Sequence, residues 1–344
     1  MKDKFPEYYR PSGEDLRCLF NSCIFVFDTN ALLDIFRLGE SYATKVLELI
    51  RKYHDRIVIP YHVAKEYHKN YLETICRELA SGNNALKSLD IDAYKLIGNE
   101  FIEKLPRSIQ KDFAKDINNV LVRFQKNVQA QNEYLKKQKD SGELFSEISE
   151  LLSSTLHTGF SEEEIGKIVQ EGKERYENNI PPGYMDKNKV DNIYGDLIIW
   201  KEILAISKEK EQSVIFISRD LKKDWITEYS GIRCGPRIEL LHEFHETSPG
   251  KIFYIYTLDR FINYANDEQK SLQKKDLDNI SSILSVHVNA VEESPKNADS
   301  PVGMVGVKKL GGKTDYKTHE AIIDTLDQDS MKANKATDEI KNCL

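Results

Sequence analysis

The chain has 344 residues, 49 Lys/Arg against 56 Asp/Glu for a net charge of -7, and 40% hydrophobic residues. That length suits one elaborated domain or two, and that composition excludes collagen-like, wholly disordered and mini-protein classes. The acidic balance excludes a uniformly basic nucleic-acid coat, but not a local basic patch or a metal site that offsets acidic residues.

Apolar runs such as Cys23 to Phe27 fall far short of the roughly 20 residues of a membrane span. Met1 to Arg10 is charged and aromatic and lacks the apolar core of a signal peptide. Cysteines stand at 18, 23, 76, 234 and 343. Their number is odd, no pair has zinc-finger spacing, and they read as reduced thiols. A cytoplasmic protein without a membrane partner is the expectation.

Residues 23–27 form a short apolar, β-favouring run, read as a buried central strand ended by Asp28-Thr29-Asn30. Leu32, Leu33, Phe36, Val46, Leu47 and Ile50 give a helical pattern to about residue 52. Arg56 to Pro60 reads as a second strand stopped by proline, followed by a helix over about 61–80. Later come a helix over about 193–209, a third strand at Ser213 to Ser218 and a fourth at Lys251 to Thr257. Strands alternating with helices predict a parallel α/β sheet.

Residues 82–179 show no strand signal and read as a helical insert. Phe113, Ile117, Val120, Phe124 and Val128 mark one helix face, and Phe145, Ile148, Leu151 and Leu152 another. Ser161 with Glu164 is a capping-box pattern. The insert is electrically polarised. Residues 104–140 hold nine Lys/Arg and four Asp/Glu, net +5, while residues 141–179 hold three and nine, net -6. Either a basic helix lies along a polyanion, or two solvated amphipathic helices pair with each other.

After Asp267 the pattern weakens. Residues 289–316 read as a linker and His319 to Leu326 as a short helix in a flexible tail. Gly312-Lys313-Thr314 imitates the end of a phosphate-binding loop. The required first glycine would fall on Val307, with Gly306 off by one and no strand before it, so nucleotide binding is rejected there.

The carboxylates carry the functional signal. Asp28 follows the first strand. Asp220 follows the third, with Asp224 four residues on at an expected helix start, where the two would share a face. Asp196 sits in the first turn of the helix before the third strand, and Glu66 on the helix after the second. Sites form at the carboxyl ends of parallel strands. Gathered acids raise one another's pKa unless a cation offsets them, and Mg²⁺ or Mn²⁺ takes such oxygen donors. Taken singly, each acid has an ordinary reading: Asp28 as a helix cap, Asp196 at a helix dipole, Glu66 as a solvated charge between Lys65 and Lys69.

Phe27-Asp28-Thr29-Asn30-Ala31-Leu32-Leu33 resembles the opening motif of PIN-domain nucleases. Pro181-Pro182-Gly183-Tyr184, Tyr194 to Lys201 and Ile217 to Trp225 resemble the PIN-like subfamily with a large helical insert. The resemblance covers about residues 20–265. It implies a three-layer α/β/α PIN-like domain with a central parallel sheet over 1–267, a helical insert at about 82–179, and a C-terminal helix, linker and tail over 268–344. By position it implies catalytic, metal-holding roles for Asp28, Glu66, Asp196 and Asp220, with Asp224 as a further ligand or supporting group and Asn30 supporting the first aspartate. The activity implied is Mg²⁺- or Mn²⁺-dependent cleavage of single-stranded nucleic acid, RNA before DNA, by two-metal-ion phosphodiester hydrolysis. Members often act as toxins or defence effectors, commonly with a regulatory protein partner; a homo-oligomer is the alternative assembly.

Lys187, Lys189, Lys201, Arg219, Lys222 and Lys223 lie near the acids in sequence, and with Asn30 they are the candidates for nucleic-acid contact. Tyr184 and Trp225 are candidates for base stacking. The ordinary readings are surface lysines and a core tryptophan. Asp186 is a further acid in the loop before Asp196. His242 and His245 flank an apolar helix face with no third ligand near and read as surface groups rather than zinc ligands. Two other functions compete: a catalytically silent PIN-like binding or regulatory module, and a haloacid-dehalogenase-like phosphatase. The phosphatase needs a second aspartate where Asn30 stands.

Overall fold

In a computed structural model of the chain, residues 1, 4–97, 102 and 104–292 are described. The chain separates into units Met1–Ser294 and Pro295–Leu344. The second unit, with the expected tail helix and Gly312-Lys313-Thr314, lies outside the described residues.

Four parallel strands form the central sheet: β1 (Ile24–Phe27), β2 (Ile57–Val58), β3 (Val214–Ile217) and β6 (Phe253–Tyr256), in the order β2-β1-β3-β6. All four coincide with the short β-favouring apolar runs of the sequence. Such runs lack polar alternation because both faces are covered. Register pairs Phe27 with Ile217 and Ile217 with Tyr256, so the carboxyl ends of β1, β3 and β6 are level.

The helices are α1 (Gly13–Ser22), α2 (Thr29–Asp34), α3 (Glu40–Lys52), α4 (Tyr61–Ile97), α5 (Arg107–Ser141), α6 (Glu143–Leu152), α7 (Glu162–Glu177), α8 (Gly195–Lys210), α9 (Ile238–Thr247), α10 (Leu258–Gln269) and α11 (Lys274–Glu292). Two aromatic layers sandwich the sheet. On one face Phe25 packs against Phe20 of α1 and Phe261 of α10, with centroids 4.9 and 5.1 Å apart. On the other, Phe253 packs at 5.0 Å on Trp200 of α8, and Phe216 at 5.2 Å on Trp225. These side chains are at most 2% exposed, and each buried aromatic of this kind stabilises by roughly 1.5–3 kcal/mol.

The insert is helical, and the Ser161–Glu164 capping box forms at the start of α7. One difference is that α4 does not stop near Ala80 but runs unbroken to Ile97. Gly82 sits within that continuous helix. In the fold it admits the neighbouring helix, because a Cβ there would lie 3.1 Å from Asn132 Cγ of α5. Asn132 is buried and donates to Asn83 Oδ1 at 3.1 Å. The basic α5 packs along α4 and meets α6 of the acidic stretch, with Lys137 2.9 Å from Glu143, while the acidic α7 packs on α8.

A second difference is an antiparallel hairpin, β4 (Ile226–Tyr229) with β5 (Ile232–Pro236), beyond the third strand. The compact unit also extends past Asp267. Ile280 and Leu284 of α11 join the core, and Lys45 pairs with Asp276 at 2.7 Å. Among the described residues no helix is long and apolar enough to cross a membrane.

Candidate active site

Strand order explains where the site forms. From β1 the chain leaves to β2 on one side and returns to β3 on the other, so the crevice beyond the ends of β1 and β3 is the topological switch point. Asp28 and Ser218, the first residues past these strands, meet there. Asp28 N donates to Ile217 O at 2.9 Å, extending the ladder by one step.

Asp28 is buried and tightly held. Its Oδ1 accepts from Thr29 N at 2.7 Å, so it caps α2 as its ordinary reading expected. Its Oδ2 accepts from Ser218 Oγ at 2.6 Å and from Asn30 Nδ2. Ser218 Oγ accepts in turn from Asp220 N at 2.9 Å, and Asn30 Oδ1 accepts from Arg219 N at 2.7 Å. Burial pushes the Asp28 carboxyl up to about 7, and the negative charges of Glu66 and Asp220 add to the shift against the hydrogen bonds from Ser218 and Thr29.

Glu66 reaches the crevice from the first turns of α4. Its Oε2 accepts from Thr29 Oγ1 at 2.7 Å, and its Oε1 from Asn192 Nδ2. His62, one turn earlier, has its Nε2 3.5 Å from Glu66 Oε1 and 3.0 Å from Asn192 Oδ1. Burial alone would raise the Glu66 carboxyl, but the hydrogen bonds from His62, Thr29 and Asn192 outweigh it and hold the group below its usual range. Gly195 makes room for this clamp, because a Cβ there would lie 2.8 Å from Asn192 Cγ.

Asp196, in the first turn of α8, accepts from Trp225 Nε1 at 3.3 Å through Oδ2. Its carboxyl is held well above the ordinary range by burial and by Asp220, with further contributions from Asp186 and Asp28. Gly183 fits against it with φ +90°, and a Cβ there would lie 3.0 Å from Asp196 Cβ and collide with the Tyr176 hydroxyl. The carboxylates thus form a chain of neighbours: Glu66 and Asp220 act on Asp28, and Asp220, Asp186 and Asp28 act on Asp196. Ser218, Thr29, Asn192 and His62 escape a reading of the sequence. Ser218 stands one residue past a recognised strand, as Asp28 does, and strand-end position would have found it. Asn192 has no such signal.

Several expectations change. Residues 220–225 form a turn into β4 rather than a helix start. Asp224 therefore does not share a face with Asp220. It has no exposed surface, and its Oδ2 accepts from Gly183 N at 3.0 Å and Met185 N at 3.2 Å. Trp225 is 2% exposed and belongs to the core, so it is not a stacking platform. Lys201 is taken by Glu171 and Glu243, at 2.8 and 2.9 Å. Arg219 turns inward to Asp34 at 2.8 Å, and Lys222 to Asp220 at 2.9 Å and Asp186 at 3.1 Å. Lys187, Lys189 and Lys223 are exposed, with Lys189 2.5 Å from Asp186. Tyr184 is half-buried. His242 is exposed beside Glu7 and Glu246. Among the described residues no three His, Cys, Asp or Glu side chains form a ready-made metal cage.

A family profile described as a PIN like domain matches residues 24–240. The chain belongs to the PIN-like domain family. The matched stretch runs from β1 to the start of α9 and takes in the whole helical insert and every carboxylate of the crevice. The PIN-like assignment places the chain in a superfamily of nucleases. The chain has no match among the curated proteins and none among the solved structures.

Proposed function

We propose that this PIN-like protein is a divalent-cation-dependent endonuclease of single-stranded nucleic acid, RNA before DNA. The supporting observation is the carboxylate crevice at the β1/β3 switch point, where burial and neighbouring negative charges push Asp28 up to about 7. Asp28, Glu66, Asp196 and Asp220 offer only oxygen donors and excess negative charge, a donor set that suits Mg²⁺ or Mn²⁺. When bound, such an ion neutralises the phosphodiester and acidifies a water.

The remaining work falls to the chain. Asn30 and Ser218 fix Asp28, and His62 and Asn192 fix Glu66, so both carboxylates are preorganised. Asp196 has one oxygen on the Trp225 indole, and we assign its other, Oδ1, to accept the proton of the attacking water. Asp224 we assign to holding the Gly183–Met185 loop, not to direct ligation. Lys187, Lys189 and Lys223 supply exposed positive charge for backbone phosphates. The family resemblance extends the proposal to a toxin or defence effector with a protein partner.

Two readings compete. Asn30 donates to Asp28 instead of supplying a second acid, which disfavours phosphatase chemistry. Among the described residues no three His, Cys, Asp or Glu side chains are gathered as a metal cage, which favours a silent module as the second reading. Incubating the protein with labelled single-stranded RNA and DNA, with Mn²⁺ and with chelator, decides. Mn²⁺-dependent cleavage that disappears in Asp28→Asn supports the nuclease. Absence of both Mn²⁺ binding and cleavage establishes the silent module.

A further inference from the structure

Lys222 sits in the middle of the acidic half of the crevice. Its ammonium is 2.9 Å from Asp220 Oδ2 and 3.1 Å from each oxygen of Asp186, and its side chain is 24% exposed. The same residue's backbone N donates to Asp220 Oδ1 at 3.1 Å, so Lys222 is tied to one carboxylate at both ends. An ammonium has three N–H donors and meets three carboxylate oxygens here. Such an arrangement is more than a surface pair, because a largely buried charge is retained only when its partners are in place.

The other half of the crevice is built differently. Asp28 is held by the neutral donors Thr29 N, Asn30 and Ser218, and Glu66 by Thr29, Asn192 and His62. No lysine or arginine contacts either carboxylate among the described residues. Further unspent negative charge borders Lys222. Asp224 has no exposed surface, and among the described residues its Oδ1 has no hydrogen-bond partner.

Two-ion hydrolysis sets dications about 3.5–4 Å apart across shared carboxylates. A second dication on Asp220 would meet the Lys222 ammonium, which already lies on one of its oxygens and repels like charge. We propose that Lys222 is a built-in second cation, so that the chain takes a single divalent ion, on the Asp28–Glu66 side, in place of the two expected from sequence. The inference rests on the metal-dependent reading and refines its ion count.

The test counts bound Mn²⁺ by calorimetry and electron paramagnetic resonance on the full chain, alongside K222R and K222M. Wild type and K222R are expected to bind one Mn²⁺ per chain. K222M is expected to bind two, with a spin-coupled signal, and to show a lower Tm than wild type in chelator. Two coupled ions in wild type overturn the proposal, as does a folded K222M that still binds one. Should K222M fail to fold, the wild-type count against K222R decides. No Mn²⁺ bound by wild type overturns the metal-dependent reading and this proposal together. One ion bound without cleavage leaves Lys222 in its role while the nuclease reading falls.

Discussion

Ser218 stands beside Asp28 at the ends of neighbouring parallel strands and donates its hydroxyl to Asp28 Oδ2 at 2.6 Å. The pairing follows from the sheet itself. Phe27 and Ile217 are register partners, so the next residue on each strand emerges at the same level. One hydroxyl then links two acids, because Ser218 Oγ also accepts from Asp220 N.

Ser218→Ala removes that link. A buried acceptor loses a donor, and the fold is expected to lose about 1 kcal/mol in denaturant unfolding. Because the Ser218 hydrogen bond opposes the upward shift of Asp28, the acid limb of the cleavage pH profile should move to higher pH. An unmoved limb would contradict the assigned role.

Chelated protein should lose stability as pH rises from about 4 to about 7. Asp28 has its ordinary value at 3.8 and its folded value at about 7, so the native state binds more protons than the unfolded state across that window. Glu202, pushed up to about 7 by burial, acts in the same direction. In thermal melts with chelator, Asp28→Asn should lose less Tm between pH 5 and pH 8 than wild type. Identical pH dependence in the two proteins would be inconsistent with the shift.

Asp224→Ala separates an anchor from a ligand. The buried backbone N–H of Gly183 and the partly exposed one of Met185 lose their acceptor, and the expected cost is on the order of 2 kcal/mol in denaturant unfolding. Cleavage should persist at temperatures where the variant stays folded. A stable variant without activity would restore Asp224 as a ligand.

Neutralising Lys187, Lys189 and Lys223 to Gln should weaken substrate binding and leave turnover at saturation unchanged. The slope of log affinity against log salt should fall by about 0.7 for each single-strand phosphate left without its lysine. An unchanged slope would place the substrate elsewhere.

Much of this arrangement is legible in the sequence because local signals and tertiary structure agree. The four sheet strands are short apolar runs, and Asp28 and Asp196 are placed by their positions at a strand end and a helix start. The hairpin at 226–236 is not legible because its residues mix Thr227, Glu228, Arg233, Gly235 and Pro236 with few apolar positions. The extension of α4 is hidden because Gly82 breaks helices locally but here serves close packing against Asn132. The spacing of Asp220 and Asp224 suggests a helix, whereas a turn sends one carboxylate into the crevice and the other into the interior. Burial decides between the readings of Trp225, and burial cannot be seen in its neighbours in sequence.

The most direct test of the central claim is cleavage of labelled single-stranded RNA by the purified chain and by Asp28→Asn, with Mn²⁺ and with chelator. The account predicts cleavage by wild type with Mn²⁺ alone, and none by a folded Asp28→Asn. Cleavage by that variant with Mn²⁺ present, or by wild type in chelator, would contradict it.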